Sequence, residues 1–184
     1  MLRYFVALPL PAEAGQRVVE ILPEASPTLR PNRRDELHVT LHFIGEVEPG
    51  QDAALRQALS SVRGNAFTLN LRGVGRFPED GPPSVLWAGV ERNPTLFALR
   101  YLIGSALSEA IGFQPEERPY VPHVTLGRIA PRAWSPAVAD YLETHRGFHV
   151  PHVPVDRFVL YSSGHDPSGD KYRQEAVYPL APAT

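Results

Sequence analysis

The four-residue sequence His-Val-Thr-Leu occurs twice in this chain, at residues 38–41 and again at residues 123–126. Both copies lie in segments that are rich in β-branched or apolar residues and are bounded by turn-forming residues, which is typical of β-strands. Because alternate residues of a strand share a face, each histidine points the same way as the threonine two positions later, about 7 Å along the strand. The aliphatic residues between and after them face a core. We expect the two His-Thr faces to form two halves of one site.

The overall composition fits one globular unit and excludes several classes of protein. The chain has 184 residues, of which 43% are hydrophobic and 21% charged, with a formal net charge of −2. We expect residues 1–184 to form one domain, or two small lobes that share a cleft. The small net charge argues against a protein that coats duplex nucleic acid by charge alone, although it permits a local basic patch. The absence of cysteine excludes disulfides and thiolate metal sites.

The sequence contains no segment typical of a membrane protein. No stretch approaches the roughly 20 apolar residues that a transmembrane helix needs. The apolar run near the N-terminus is short and is interrupted by Pro9 and Pro11, which favours a first strand over residues 3–8 rather than a secretion signal. We therefore expect a cytoplasmic protein with no membrane partner.

Predicted elements follow the same order around each copy of the motif. The first half contains a helix over 12–22, a basic loop over 29–36, the His-Thr strand, a helix over 51–62, and strands over 67–74 and 84–91. The second half contains a helix over 94–111, a loop over 114–122, the His-Thr strand, a helix over 135–145, and strands over 155–163 and 172–180. Two helices and about four strands per half predict an α+β fold with largely antiparallel pairing.

Of two histidines that face each other across a cleft, one can act as a general acid and the other as a general base. A neutral imidazole accepts a proton from water, whereas an imidazolium donates one to a leaving oxygen. Phosphodiester cleavage needs both actions, on opposite sides of phosphorus. The hydroxyls of Thr40 and Thr125 can donate hydrogen bonds to non-bridging oxygens, and Arg128 can supply positive charge where negative charge develops. We therefore expect His38 and His123 to be catalytic; either one alone is more typical of a buried structural histidine.

The duplicated motif and its flanks resemble the two-histidine (2H) phosphoesterases, and most closely their RNA 2′,3′-cyclic phosphodiesterase branch, formerly called 2′-5′ RNA ligase. The segments that carry the resemblance are residues 4–11, 37–45, 84–90, 120–128 and 160–163, together with Tyr172. The resemblance implies a bilobal α+β fold with a pseudo-two-fold axis, in which two antiparallel sheets line a central cleft and the helices lie outside.

The resemblance also implies a reaction and a set of residue roles. The reaction is hydrolysis of an RNA 2′,3′-cyclic phosphate to a 2′-phosphomonoester, with no metal or other cofactor. His38 would be the general acid toward the leaving 3′ oxygen, and His123 the general base that activates water. Thr40 and Thr125 would hold the phosphate and Arg128 would assist. The motif itself does not say which histidine is the acid.

Further residues are candidates for contact with RNA. His42 stands where members of this family often carry Arg or Lys; we expect it on the same strand face as His38, about 13 Å along, at the rim of the cleft. Phe43 and Tyr120 are candidates for stacking on bases, with core packing as the alternative. The basic loop with Arg30, Arg33 and Arg34 either contacts phosphates or is simply solvated. The remaining histidines have no carboxylates at ligand spacing, so we interpret them as scattered surface residues: His145, His149, His152 and His165.

Two other functions remain open from the sequence. The first is a non-catalytic module that binds a nucleotide or an RNA terminus in the same cleft. The second keeps the chemistry but changes the substrate to 2′-5′-linked oligonucleotides or an ADP-ribose cyclic phosphate, and includes the reverse reaction, ligation. In each case the partner is an RNA end or a small cyclic nucleotide. Nothing in the sequence indicates oligomerisation or an obligate protein partner, so we expect a monomer.

Overall fold

The computed structural model describes residues 3–48, 50–80, 84–130, 136–164 and 171–182. Within these ranges the chain forms nine strands, four α-helices and one short 3₁₀ helix at Arg34–Glu36. The strands are β1 (Arg3–Pro9), β2 (Leu29–Pro31), β3 (His38–Glu46), β4 (Phe67–Phe77), β5 (Val85–Val90), β6 (His123–Ile129), β7 (His149–Val155), β8 (Arg157–Ser163) and β9 (Tyr172–Pro179). The helices are α1 (Ala12–Val19), α2 (Asp52–Ser61), α3 (Pro94–Ile111) and α4 (Pro136–His145). The predicted α+β class is confirmed.

The described strands form a single sheet in which the two His-Thr strands are central. The order is β7-β4-β5-β6-β3-β1-β8-β9, and β2 also pairs with β6. The strands β3 and β6 are joined at one position only, where Val39 lies opposite Val124. The structure therefore differs from the expected pair of separate sheets, because a four-stranded half and a five-stranded half that includes β2 are connected through this one bridge.

Each half-sheet combines strands from both halves of the sequence. The hairpin formed by β4 and β5 pairs with β6, although it follows the first His-Thr strand and α2 in the chain. The hairpin formed by β8 and β9 is attached to β1, which in turn pairs with β3. The hairpin that follows each His-Thr strand in the chain, which we call its closing hairpin, thus joins the half-sheet of the other His-Thr strand. Because of this exchange, neither half-sheet can form from one half of the sequence alone.

The main hydrophobic core lies on the sheet face opposite the histidines. Val39, Leu41, Val124 and Leu126 are all at most 2% exposed there, as the alternation of the two motifs predicts. The core also contains the apolar stripes of the helices, including Val18, Leu55, Leu59, Leu96, Ile103, Leu107 and Val138. The other face, which we call the histidine face, carries a smaller cluster of Phe5, Ala7, Val159 and Tyr161.

Helix α3 begins at Pro94 and ends at Ile111, as its sequence predicts. Asn93 caps the first turn by accepting a hydrogen bond from the backbone N–H of Leu96 at 3.0 Å, and Pro94 occupies the first helical position. Gly112 ends the helix in the left-handed conformation, with φ of 68°, which favours glycine. By contrast, α1 ends at Val19 rather than at residue 22.

The predicted basic loop over residues 29–36 is ordered into β2 and the 3₁₀ helix. Arg30 lies opposite Arg128 and Pro31 opposite Gly127 in the antiparallel pair of β2 with β6. Asn32 continues this attachment, because its side-chain amide donates to the carbonyl of Thr125 at 3.1 Å. A segment that precedes the first motif in the chain is thus fixed to the strand of the second motif.

Strand β7 is absent from the sequence prediction, which placed one strand over residues 155–163. Pro151 and Pro154 obscure its alternating pattern, and His152 has a φ of 53°, which strand residues rarely adopt. β7 lies at the edge of the sheet, where proline costs no internal ladder hydrogen bond. The edge position explains how a strand with two prolines is accommodated.

Replacing Asn93 tests the role of the helix cap. We expect Asn93→Ala to lower the free energy of unfolding by about 1–2 kcal/mol, because the first turn of α3 loses its side-chain acceptor. Asn93→Ser is the matched control, since serine restores an acceptor, and it should keep most of the stability. Urea denaturation measures both; equal losses in the two variants would show that the cap does not matter.

Candidate active site

The bridge between β3 and β6 brings the two motifs together. Because Val39 and Val124 are partners, the antiparallel register places His38 next to Thr125 and His123 next to Thr40. Both valines point into the core, so all four of these flanking side chains lie on the histidine face. The structure therefore assembles the two predicted catalytic histidines and the two predicted threonines in one site.

Both histidines are oriented by the same backbone hydrogen bond. The Nδ1 of His38 lies 2.7 Å from the carbonyl oxygen of Glu36, and the Nδ1 of His123 lies 2.7 Å from the carbonyl oxygen of Val121. A carbonyl oxygen can only accept, so Nδ1 carries the proton in each ring. Within the part of the chain that the structure describes, neither Nε2 has a hydrogen-bond partner, which leaves both available to a ligand.

The His38 ring packs among aromatic side chains. Its centroid lies 5.0 Å from that of Phe5, 6.0 Å from Tyr161 and 5.2 Å from Tyr172. The pKa of His38 is lowered to about 4, chiefly by burial against these rings and also by the positive charge of Lys171, whereas the hydrogen bond to the backbone carbonyl of Glu36 opposes the shift. His38 is therefore neutral near pH 7 when no ligand is bound.

The His123 ring has a different aromatic setting on the second half-sheet. Phe77 approaches it edge-on at 5.0 Å, and Trp87 lies 6.2 Å away. A side chain at Gly75 would collide with the Trp87 ring, because an added Cβ would lie 2.2 Å from it. Gly75 thus lets the indole lie over β4. Burial lowers the pKa of His123, to which the charge of Arg118 contributes, so this ring also favours the neutral form.

The two threonines have free hydroxyls on the histidine face. Thr40 and Thr125 are half-buried, and their side chains make no hydrogen bond to any other residue in the described ranges. A strand threonine in such a position has one donor available for a ligand oxygen. This placement supports the predicted role of the pair as phosphate-binding groups.

A β-bulge follows the threonine in both motifs and changes the faces of the residues beyond it. In β3, Thr40 lies opposite Ala7 but His42 lies opposite the next residue, Val6. In β6, Thr125 lies opposite Trp87 and Gly127 opposite Leu86 in the same way. The extra residue shifts the alternation by one position. As a result, the residues that return to the histidine face are Phe43 and Arg128.

The expectation that His42 lies at the rim of the site is wrong. The bulge turns His42 toward the core, where it is 5% exposed. Its Nε2 lies 2.8 Å from the carbonyl oxygen of Arg100 in α3, and its ring meets Phe113 edge-on at 5.3 Å. His42 therefore ties β3 to α3 and lies away from the rim of the site.

Phe43 and Tyr120 differ in how open they are to a base. Phe43 is 57% exposed and borders a surface pocket of about 280 Å³ whose wall includes Gln51 and Gln114. Tyr120 is half-buried; its hydroxyl donates to the carbonyl of Thr40 at 2.8 Å, and the Arg100 guanidinium covers its ring at 4.4 Å. The stacking role thus fits Phe43 better, whereas Tyr120 supports β3 behind the site.

Two charged residues of the site were missed by sequence reasoning. Glu36 is 5% exposed, and its carboxylate accepts from Lys171 at 3.3 Å. Lys171 also lies 4.9 Å from the centroid of the Tyr172 ring. The pair holds the end of β9 against the turn that orients His38. No sequence motif links residues so far apart; the only available signal was that Glu36 directly precedes the first His-Thr strand.

The other histidines are not gathered into this site. His149 and His152 are exposed on β7, and His145 contacts Tyr141 within α4 at 4.7 Å between ring centroids. His165 lies outside the described residues. Among those described, no group of three or more His, Cys, Asp or Glu side chains is arranged to hold a metal ion, and no helix is long and apolar enough to span a membrane.

An antiparallel α+β fold with two paired His-x-Thr strands defines the class of two-histidine phosphoesterases, and the comparisons with known proteins give the family. A sequence model of the 2′-5′ RNA ligase superfamily matches residues 10–167, so this chain belongs to that superfamily. The RNA 2′,3′-cyclic phosphodiesterase of Archaeoglobus fulgidus is 30% identical over 179 residues, which cover 96% of this chain and 99% of that protein.

Two further relatives agree with this placement. The RNA 2′,3′-cyclic phosphodiesterase of Geobacillus stearothermophilus is 33% identical over 185 residues, which cover 96% of this chain but 57% of that longer protein. The crystal structure of E. coli LigT complexed with 3′-AMP matches with a TM-score of 0.74 at 28% identity, over 97% of this chain and 98% of that one. The family expected from the motifs is confirmed.

Removing the charge of Lys171 tests how the environment of His38 is set. We expect Lys171→Met to raise the pKa of His38, because the loss of a nearby cation favours the imidazolium. Lys171→Arg keeps the charge and should leave the titration near its original position. NMR titration of the imidazole signals measures the effect, with His123 as an internal reference. An unchanged His38 titration in Lys171→Met would contradict the assigned influence of this residue.

Proposed function

We propose that this protein hydrolyses RNA 2′,3′-cyclic phosphate ends to 2′-phosphomonoesters by acid-base catalysis with His38 and His123 and without a metal. The observation that carries the proposal is the paired placement of the two rings, each fixed through Nδ1 and each presenting an unpartnered Nε2 on the histidine face. A related enzyme is named RNA 2′,3′-cyclic phosphodiesterase, and a related structure holds 3′-AMP.

The reaction divides into one proton removal and one proton donation. The neutral Nε2 of His123 takes a proton from water, and the water oxygen attacks phosphorus. The bond from phosphorus to the 3′ oxygen breaks, and the protonated Nε2 of His38 donates its proton to that oxygen. The products are a free 3′ hydroxyl and a 2′-phosphomonoester, and the proton gained by His123 returns to solvent. The assignment of the acid to His38 follows the family resemblance.

The threonines and Arg128 act on the charge of the phosphate. The hydroxyls of Thr40 and Thr125 flank the bridge and can donate to the two non-bridging oxygens. Negative charge on these oxygens grows as water attacks, so hydrogen bonds to them are stronger in the transition state than in the substrate. Arg128 lies on the same face and is exposed, so its flexible side chain can approach the phosphate from the side.

His38 must gain a proton before it can act as an acid, although its pKa in the free protein is about 4. The substrate itself can raise the pKa of His38, because a cyclic phosphodiester carries one negative charge that favours the imidazolium. At about 4 Å and an effective dielectric of about 20, one unit charge contributes about 4 kcal/mol, or about three pKa units. Such a shift would raise the pKa of His38 toward neutral pH. Substrate binding and protonation of His38 are therefore coupled.

Substitution of the histidines tests the chemistry. In buffer with EDTA, the wild-type protein should convert a 2′,3′-cyclic nucleotide to the 2′-monophosphate. His38→Ala and His123→Ala should each lower kcat by about 10²–10⁴-fold, because each removes one acid-base group. His149→Ala, which changes an exposed histidine on β7, is the matched control and should retain wild-type rates.

Product analysis separates this proposal from its alternatives. Bound but unchanged nucleotide after long incubation would indicate a binding module, and release of a 3′-monophosphate would indicate the opposite regiochemistry. Wild-type rates in a His38→Ala, His123→Ala double variant would end the proposal. A single domain over residues 1–184, a monomeric state and a cytoplasmic location remain predictions from the sequence.

Proton uptake on binding tests the coupling to His38. A 2′,3′-cyclic nucleotide should bind the inactive His123→Gln variant near pH 6 with net uptake of protons, because the phosphate charge raises the pKa of His38. The phosphate of the ligand does not titrate near this pH, so any protons taken up on binding are bound by the protein. Calorimetry in buffers of different ionisation enthalpy measures it. The His38→Gln, His123→Gln double variant should lose the uptake; its persistence there would refute the coupling.

A further inference from the structure

Two arginines lie directly opposite each other next to the proposed active site. Arg30 of β2 and Arg128 of β6 are Cα partners in an antiparallel pair. Side chains in such positions share a face, with Cβ atoms about 4.5–5.5 Å apart, and like charges there destabilise the fold. An anion bound between the two side chains would offset this repulsion.

Neither arginine has an acidic partner within the described residues. Arg30 and Arg128 are exposed and make no side-chain hydrogen bond or ion pair there. The other two arginines of the same segment are engaged within the protein. Arg33 binds Asp35 at 2.9 Å, and Arg34 donates to Gln16 at 2.9 Å. Arg30 and its opposite, Arg128, thus differ from these two arginines in having no side-chain hydrogen bond or ion pair in the described ranges.

The pair points to the histidine face. Leu29 and Ile129, the neighbouring partners in the same ladder, both pack in the main core on the other face, so Arg30 and Arg128 project the opposite way. The bulge after Thr125 gives the same result for Arg128, which is opposite Val85. Thr125 and Arg128 are three positions apart, a separation of at most about 10 Å along the strand.

The structure holds β2 in this position by several contacts. Gly127 permits the close approach, because an added Cβ would lie 2.9 Å from the carbonyl oxygen of Arg30. The backbone N–H of Asn32 donates to the carbonyl of Leu126 at 2.8 Å, and the N–H of Ala130 donates to Thr28 at 2.8 Å. Arg30 is thus presented by a fixed strand rather than by a solvated loop.

We propose that Arg30 binds a second phosphate, the backbone phosphodiester at the 5′ oxygen of the terminal nucleotide, and that Arg128, opposite it, lies between this phosphate and the reacting one and can donate to both. This inference rests on the proposed function. A 2′,3′-cyclic phosphate ends the RNA chain, so the next phosphate can only lie on the 5′ side. Two planar guanidinium groups provide parallel donors for its oxygens, and its negative charge relieves their repulsion. The preferred substrate is then an oligonucleotide rather than a cyclic mononucleotide.

The test compares a 2′,3′-cyclic mononucleotide with a trinucleotide that ends in the same cyclic nucleotide. The quantity measured is the ratio of the two kcat/KM values. Arg30→Gln should lower the trinucleotide-to-mononucleotide ratio about tenfold, and Arg30→Lys should recover part of it. The matched control is Arg146→Gln, which removes the same charge at an exposed position after α4 and should leave the ratio unchanged. The salt dependence of trinucleotide KM should also weaken, by a slope of about 0.7 for one lost contact with a single strand.

Thermal unfolding and direct binding complete the test. Arg30→Gln removes a like-charge contact, so its thermal midpoint without ligand should equal or exceed that of the wild type, whereas a purely structural arginine would leave it lower. In the inactive His123→Gln background, Arg30→Gln should weaken binding of a labelled trinucleotide by about the same tenfold factor, as measured by fluorescence anisotropy. If the wild type and Arg30→Gln had equal trinucleotide-to-mononucleotide ratios of kcat/KM and bound the trinucleotide equally well, the proposal of a second phosphate site would be wrong. If neither substrate were hydrolysed while binding depended on Arg30, the hydrolytic function would fail and the phosphate site would stand.

Discussion

The site depends on one backbone contact, the bridge between Val39 and Val124. It is the single point at which the two His-Thr strands meet, and it lies between the histidine and the threonine of each motif. An antiparallel bridge at that position puts each histidine beside the threonine of the other motif. Because both valines are buried with no exposed surface, the core fixes this register. A shift by one residue would turn the four polar side chains into the core, so packing on one face determines chemistry on the other.

The two halves of the site are alike in backbone geometry and different in electrostatics. Each ring donates from Nδ1 to the carbonyl two residues earlier, and each strand has a bulge directly after its threonine. The surroundings then diverge, because Lys171 lies near His38 while Trp87 and Phe77 enclose His123. The difference disfavours a protonated His38 in the free protein, because Lys171 is a nearby cation. Under the proposed mechanism, the duplication supplies the geometry, and the charge of the bound phosphate raises the proton affinity of the acid.

The parts of this structure that follow local periodicity could be predicted from the sequence. Those include the faces of the two motifs and the boundaries of α3, since its cap, proline and terminal glycine all act within a few residues. His42 was misplaced because a bulge changes the alternation, and a bulge arises from the pairing of two strands rather than from one strand alone. β7 was missed because its prolines are tolerated only at a sheet edge, which is a property of the assembled sheet. The exchange of the closing hairpins and the contact of Glu36 with Lys171 depend on residues far apart in the chain.

The attachment of β2 to β6 has no counterpart beside β3 among the described residues, and it lies next to the second motif. At the equivalent place in the first motif, His42 fills the space behind the strand and binds the carbonyl of Arg100. In the second motif Gly127 leaves that space open, and β2 occupies the neighbouring edge. The second motif thus lacks the core contact that His42 makes in the first, and it carries two opposed arginines one position further along, on the other face. Their like charges repel each other in the free protein, and an anion bound between them would offset this repulsion, which is the basis of the proposed phosphate site. Under the proposal of a second phosphate site, the asymmetry further gives the site a direction, because Arg30 and Arg128 place positive charge beyond Thr125 and a polyanion that ends at the histidines would extend toward that side.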